Sequence, residues 1–250
     1  MLVGLEKACG DLASLYLQRF RPVAHRLVRG LRRARSWAAL SVGQIRSAKP
    51  LSLADGFDRG LPIDRYYIEG FLAKHAADIH GRVLEVGAAD YSTRFGGGRV
   101  TRQDVLHIDD SNPIATIVGD LCTPGTLPAK AFDCIILTQT LQYLFDLPAA
   151  IKQVHDALRP GGVALISTPG VAPVCRDDWQ ESFYWRMTEM ALRRLLARVF
   201  AADAIEVVPL GNLYAATHFL HGAAVEESSR KKLHAAMPEY AVVICARAVA

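Results

Sequence analysis

The sequence predicts an α/β fold: a doubly wound, mostly parallel sheet with a final antiparallel strand, preceded by a basic helical extension over residues 1–57. Three observations predict it. Five short apolar runs, RVLEV (82–86), DVLHI (104–108), ATIV (115–118), FDCIIL (132–137) and VALIS (163–167), are of the kind that parallel strands buried on both faces produce. Between the fourth and fifth runs lies a helix with Leu147, Ile151, Val154 and Leu158 on one face, and strand, helix, strand at this spacing is a parallel crossover. The chain then ends on a helical stretch followed by YAVVICARAV with no further crossover, which allows the last strand to insert antiparallel.

Taken in order, residues 1–46 have helical spacing, with Leu12, Leu15 and Phe20 ahead of Pro22 and Leu27 and Leu31 after it, so two helices broken near Pro22 are expected. The segment RLVRGLRRARSW sets a basic face beside Leu and Trp, which suits an anionic membrane surface; a solvated or partner-facing helix fits the same pattern. AKPLSLADGFDRGLP reads as a linker, and the domain proper, 58–250, begins near Asp58. Pro62 suits a first helical turn, and Tyr67, Ile68, Phe71, Leu72 and Ile79 recur at helical intervals until Gly81. Asp146 and Pro148 open the crossover helix, and Pro160-Gly161-Gly162 closes it. Thr188 caps a helix carrying Leu192, Leu195, Leu196 and Val199; IEVV and a helical stretch around 213–236 precede the last strand.

With 51% hydrophobic and 22% charged residues among 250, the chain has enough apolar material for one large domain, and wholesale disorder is excluded. Residues 1–50 hold ten Lys/Arg against Glu6 and Asp11, a net of +8 in a chain of +4, which leaves −4 for residues 51–250. Five cysteines, odd in number and without a CxxC pair, argue against a disulfide framework or a metal site and for a reducing, cytoplasmic compartment. Glu6, Lys7 and Asp11 interrupt the first apolar stretch, and no apolar run is long enough to span a bilayer.

In an open parallel sheet, ligands bind beyond the carboxyl ends of the strands. Glu85 and Gly87 stand there after the first strand, Asp109 and Asp110 after the second, Asp120 after the third, and Thr138, Gln139 and Thr140 after the fourth. Asp109 lies 22 residues after Gly87, close to the separation at which an acid that accepts ribose hydroxyls appears. Asp120 could accept an adenine amino group. The alternative for each acid is to cap a loop or a helix.

Together VLEVG, HIDDS, GDL, FDCIILTQTLQYL and LRPGGVALIST resemble the class I S-adenosylmethionine-dependent methyltransferases, with their Rossmann-like sheet, over roughly residues 58–250. YWRMT (184–188) is similar to a sequence that often precedes the next helix in such enzymes. GFDRGLPIDRYYIE looks like the lead-in of a subgroup associated with glycan biosynthesis. The resemblance implies S-adenosylmethionine as cofactor, with Glu85 and Gly87 at its methionine part, Asp109 at its ribose and Asp120 with Leu121 at its adenine, and with Ala88 and Asp110 also in the cofactor site. Thr138 would complete the cofactor site, and Arg65 and Tyr66 could reach the cofactor's carboxylate. Tyr143, Trp185 and Arg186 would face the acceptor, a small molecule or glycan methylated at oxygen. No metal and no nucleic acid are implied; the basic arm could contact a membrane or protein partner.

One departure stands in the opening loop. The family pattern ExGxGxG calls for glycine at positions 89 and 91, where this chain has Ala89 and Tyr91. Tyrosine cannot lie under the ligand, so the loop must turn outward after Asp90 or the cofactor must ride higher. A non-catalytic scaffold of the same fold, in which Tyr91 fills the cavity, is therefore a second reading. A nicotinamide dehydrogenase is a third, disfavoured because Gly87-x-Ala89-x-x-Ser92 lacks the glycines that let a pyrophosphate approach.

Overall fold

Side chains alternate between two apolar layers along every inner strand, and that alternation builds the molecule around its sheet. In the computed structural model, which describes residues 47–174 and 179–250, the strands are β1 (Gly81–Val86), β2 (Val100–His107), β3 (Ile117–Val118), β4 (Phe132–Thr138), β5 (Leu158–Pro169), β6 (Ile205–Leu210) and β7 (Val243–Val249). Their order is β3-β2-β1-β4-β5-β7-β6. The first five pair in parallel, and β7 enters antiparallel to both β5 and β6. The expected helices around Pro22, the basic segment after it, Cys9 and Cys175 lie outside the described residues.

One face of the sheet buries Leu84, Ile135, Leu137 and Ile166 against helices α2 (Leu147–Ala157) and α3 (Glu189–Leu196). The other buries Val83, Cys134, Ile136 and Leu165 against α1 (Ile63–Lys74) and α4 (Leu213–Leu220). The helix starts at Asp146 and Thr188 show the expected chemistry, and Asn212 adds a cap that the sequence reading did not mark. Asp146 accepts the Ala149 amide at 3.0 Å, Thr188 the Ala191 amide at 3.2 Å, and Asn212 the Ala215 amide at 2.8 Å.

Several elements differ from their sequence expectation. LRPGG does not simply close α2; it opens β5 as a bulge. Phe132 pairs with Leu158, and the next pairing is Cys134 with Val163, so residues 159–162 loop out opposite Asp133. Asp133 accepts from Arg159 at 2.8 Å and from the Arg82 amide at 2.7 Å, and Gly161 takes a φ of +79° that closes the turn. ATIV contributes only Ile117–Val118 to the sheet. The helical stretch expected to 236 stops at Leu220 and resumes for one turn at Arg230–Leu233. No α-helix of the described residues lies between β1 and β4; a single wide turn at Ser92–Gly96 stands where a first crossover helix would run.

The segment read as a linker packs on the body. Ser52 is buried, its hydroxyl bonds to Asp58, and the Leu51 amide donates to the His221 carbonyl at 2.7 Å. Among the described residues no helix is long and apolar enough to cross a membrane.

Candidate active site

Strand order reverses between β1, which leads outward to β2, and β4, which leads the other way to β5. Such a reversal opens a crevice at the carboxyl ends. A cavity of about 750 Å³ lies there. Its floor is formed by residues at the strand ends: Gly87 after β1, His107 and Ile108 at the end of β2, Asp120 and Leu121 after β3, and Thr138 to Thr140 at the end of β4. Asp64, Arg65 and Phe57 close one side. Tyr143, Trp179, Phe183 and Tyr184 form an aromatic wall on another.

The β1 loop is set by Glu85. Its carboxylate accepts the Ser92 amide at 2.9 Å and the Tyr91 amide at 3.2 Å, and it is 3% exposed. Burial, the largest influence, raises its pKa despite these bonds. Glu85 therefore ties the loop to the strand and does not line the cavity. Tyr91 is turned away as well: it packs on the α1 side of the sheet, its ring 6.1 Å from that of Phe95, and the phenol faces Arg65. The space under the loop stays open. Gly87 has a φ of +79°, which disfavours any side chain, and a Cβ there would meet nothing within 4 Å. Asn112 reaches across from the loop after β2, donating to the Gly87 carbonyl at 2.8 Å.

Of the residues that the sequence singled out, Arg65, Gly87, Asp120, Leu121, Thr138 and Tyr143 line this cavity. Ala88, Tyr66, Asp109, Asp110, Trp185 and Arg186 do not. Asp109 is held by its neighbours: its Oδ1 accepts from the Ser111 amide and hydroxyl and lies 3.1 Å from His107 Nδ1. Those bonds, the Ser111 hydroxyl first, lower its pKa. Tyr66 bonds to His234 at 2.8 Å. The Trp185 indole donates to the Leu144 carbonyl at 2.9 Å, and Arg186 donates to the Ala172 carbonyl at 2.7 Å while its guanidinium sits over Phe183. Tyr214 and His218 stack on each other with ring centroids 3.8 Å apart, outside the cavity.

Sequence reasoning passed over three residues, Asp64, Phe57 and Gln142, and marked Gln139 only by its place after the fourth strand. Asp64 and Phe57 come from the lead-in to β1, where nothing local marks them. Gln139 takes a φ of +49°, an uncommon conformation for a non-glycine residue, at the end of β4. Its amide donates to the Ser167 carbonyl at 3.0 Å, and its side chain accepts from Gln142 at 3.0 Å. Gln142 is 3% exposed, and a non-periodic polar residue in TQTLQYL was the available signal.

Among the described residues, four aspartates (Asp55, Asp64, Asp120, Asp146) and one arginine line the cavity, so their field favours a ligand of positive charge.

Comparison with known proteins fits this geometry. In a solved S-adenosylmethionine-dependent methyltransferase from Mesorhizobium loti, 98% of the chain superposes on 75% of this one, with a TM-score of 0.53 and 17% identity. A second from Archaeoglobus fulgidus matches 74% of this chain and 94% of its own, with a TM-score of 0.51 and 10% identity. The fold is that of the S-adenosylmethionine-dependent methyltransferases. A family model described as a methyltransferase domain matches residues 96–208, starting just past the loop in which Ala89 and Tyr91 replace glycine. A curated relative from Mycolicibacterium smegmatis, a probable S-adenosylmethionine-dependent methyltransferase, is 29% identical over 101 residues. That match spans 40% of this chain and 35% of the relative, so the chain covers about a third of the relative's length.

Proposed function

We propose that this chain is an S-adenosylmethionine-dependent methyltransferase acting at oxygen on a small-molecule or glycan acceptor. The observation that carries the reading is the open cavity above Gly87, from which Tyr91 is turned away. Had the tyrosine filled that space, a non-catalytic scaffold would be favoured. The residues suit the cofactor in charge and in shape: an acid-lined pocket favours a sulfonium cation, Gly87 permits close backbone approach, and Asp120 with Leu121 stands ready for the adenine. Arg65 and Thr138 complete the set from the side wall and the end of β4.

When bound, the cofactor supplies a methyl already activated by its sulfonium. What this chain then contributes is position and dryness. Gly87, whose carbonyl Asn112 holds, and Asp120 would fix one partner. The aromatic wall, tied together by Tyr143 with Phe183 at 5.6 Å and with Trp179 at 5.9 Å, offers flat apolar faces to the other and keeps water out. Aromatic faces of this kind suit the apolar side of a sugar ring, which supports the glycan reading together with the GFDRGLPIDRYYIE lead-in. Contact of the basic arm with a membrane or a protein partner belongs to the same proposal and rests on its charge alone.

Calorimetric titration with S-adenosylmethionine and S-adenosylhomocysteine, followed by a methyl-transfer screen over sugars and glycan acceptors, tests the reading. Binding with transfer to a hydroxyl is expected; no heat at millimolar cofactor would end it.

A further inference from the structure

Asp64 carries a buried carboxylate oxygen that finds no donor among the described residues. It is 9% exposed, it lines the cavity, and its Oδ1 has no hydrogen-bond partner among the described residues. On the other oxygen, Arg65 Nε stands 3.8 Å from Oδ2. Burial, the largest influence, raises its pKa. A buried carboxylate oxygen without a donor is costly, and a ligand that brings one removes the cost.

The surroundings say which kind of ligand. Arg65, the next residue, lines the same cavity with its guanidinium beside the Phe57 ring at 5.8 Å. An acid and a guanidinium side by side complement a group that carries an ammonium and a carboxylate on one carbon. The pair stands near the β1 loop, since the Tyr91 phenol feels both Arg65 and Asp64. Asp120 and Leu121 come after β3, two strands from β1 in the sheet, a lateral separation of about 10 Å. A nucleoside with an amino-acid tail spans such a distance.

We propose that Asp64 and Arg65 together hold the α-amino acid head of the cofactor, with Asp64 Oδ1 receiving the ammonium and Arg65 the carboxylate. This rests on the cavity being the S-adenosylmethionine site. The contrasting role for Asp64 is purely structural: an acid in the first turn of α1, where it complements the helix dipole.

The test is calorimetric titration of the full chain with S-adenosylhomocysteine and with its deaminated analogue, which keeps the carboxylate and lacks the ammonium. Wild type should prefer S-adenosylhomocysteine by about tenfold or more. Asp64→Asn should erase that preference by weakening S-adenosylhomocysteine while leaving the analogue's affinity unchanged. Asp64→Ser, read the same way, covers failure of the amide variant to fold. Arg65→Met should weaken both ligands. A preference that survives in Asp64→Asn, equal weakening of both ligands, or no preference in wild type overturns the proposal while the cofactor reading stands. Failure of wild type to bind either ligand overturns both.

Discussion

Glu85 and Ser92 are joined by a hydrogen bond of 2.9 Å from the Ser92 amide to Glu85 Oε2, and that bond, with its neighbour from Tyr91, decides where the β1 loop goes. The carboxylate pulls the chain into a tight turn directly after Asp90. The tyrosine is then carried to the α1 side, and the cavity above Gly87 stays clear.

Replacing Glu85 with Ala leaves two loop amides without an acceptor, and a loss of about 2–4 kcal/mol in denaturant unfolding is expected. Glu85→Gln isolates the charge. The folded-state pKa of Glu85 is raised above its unfolded value, so its contribution is fully present below the unfolded pKa and is lost as pH rises through the folded pKa. The stability of wild type relative to Glu85→Gln should therefore fall as pH increases from about 4.5, the ordinary glutamate value. A flat difference would remove the buried-carboxylate account.

Gly87→Ala places a side chain at a φ of +79°. The cost in stability should be about 1–2 kcal/mol, and because the new methyl projects into open space where ligand approaches, S-adenosylhomocysteine affinity should fall as well. Unchanged affinity in a folded variant would separate Gly87 from the ligand.

Asn112→Ala removes the bond to the Gly87 carbonyl. The site is partly exposed, so thermal stability should change by less than about 1 kcal/mol. Cofactor affinity should nonetheless drop about three- to tenfold because the loops after β1 and β2 lose their tie. A large drop in stability with unchanged affinity would contradict this.

Arg247 donates to Asp78 at 2.8 and 2.9 Å, joining β7 to the turn after α1. That hydrogen bonding is the leading cause of the lowered Asp78 pKa. A depressed carboxylate stabilises above its unfolded pKa, and the contribution disappears as pH falls through the folded value. Wild type should lose more stability than Arg247→Met on acidification below about pH 4. Parallel acid titrations of the two would refute the pairing's role.

Trp179→Ala and Tyr143→Ala take apart the aromatic wall without touching the floor of the cavity. Acceptor KM should rise several-fold while S-adenosylhomocysteine affinity stays within about twofold, as steady-state kinetics and calorimetry would report.

Much of the fold was legible because it is periodic or capped. The apolar runs around Leu84, Ile135 and Leu165 marked buried strands, and the oxygens of Asp146 and Thr188 marked helix starts, each through local chemistry that a sequence displays. The sequence by itself also determined that acids gather at the strand ends. Which of them faces the cavity was decided only by tertiary structure. Asp120 lines it, whereas Asp109 is held by Ser111 and His107, and Glu85 by two loop amides. The direction of a side chain at a strand end is set by the loop that leaves it, and loops have no period to read. Asp64 was invisible for the same reason: a carboxylate in a helix's first turn looks like an ordinary helix start until the fold buries it beside Arg65 and leaves one of its oxygens without a donor among the described residues.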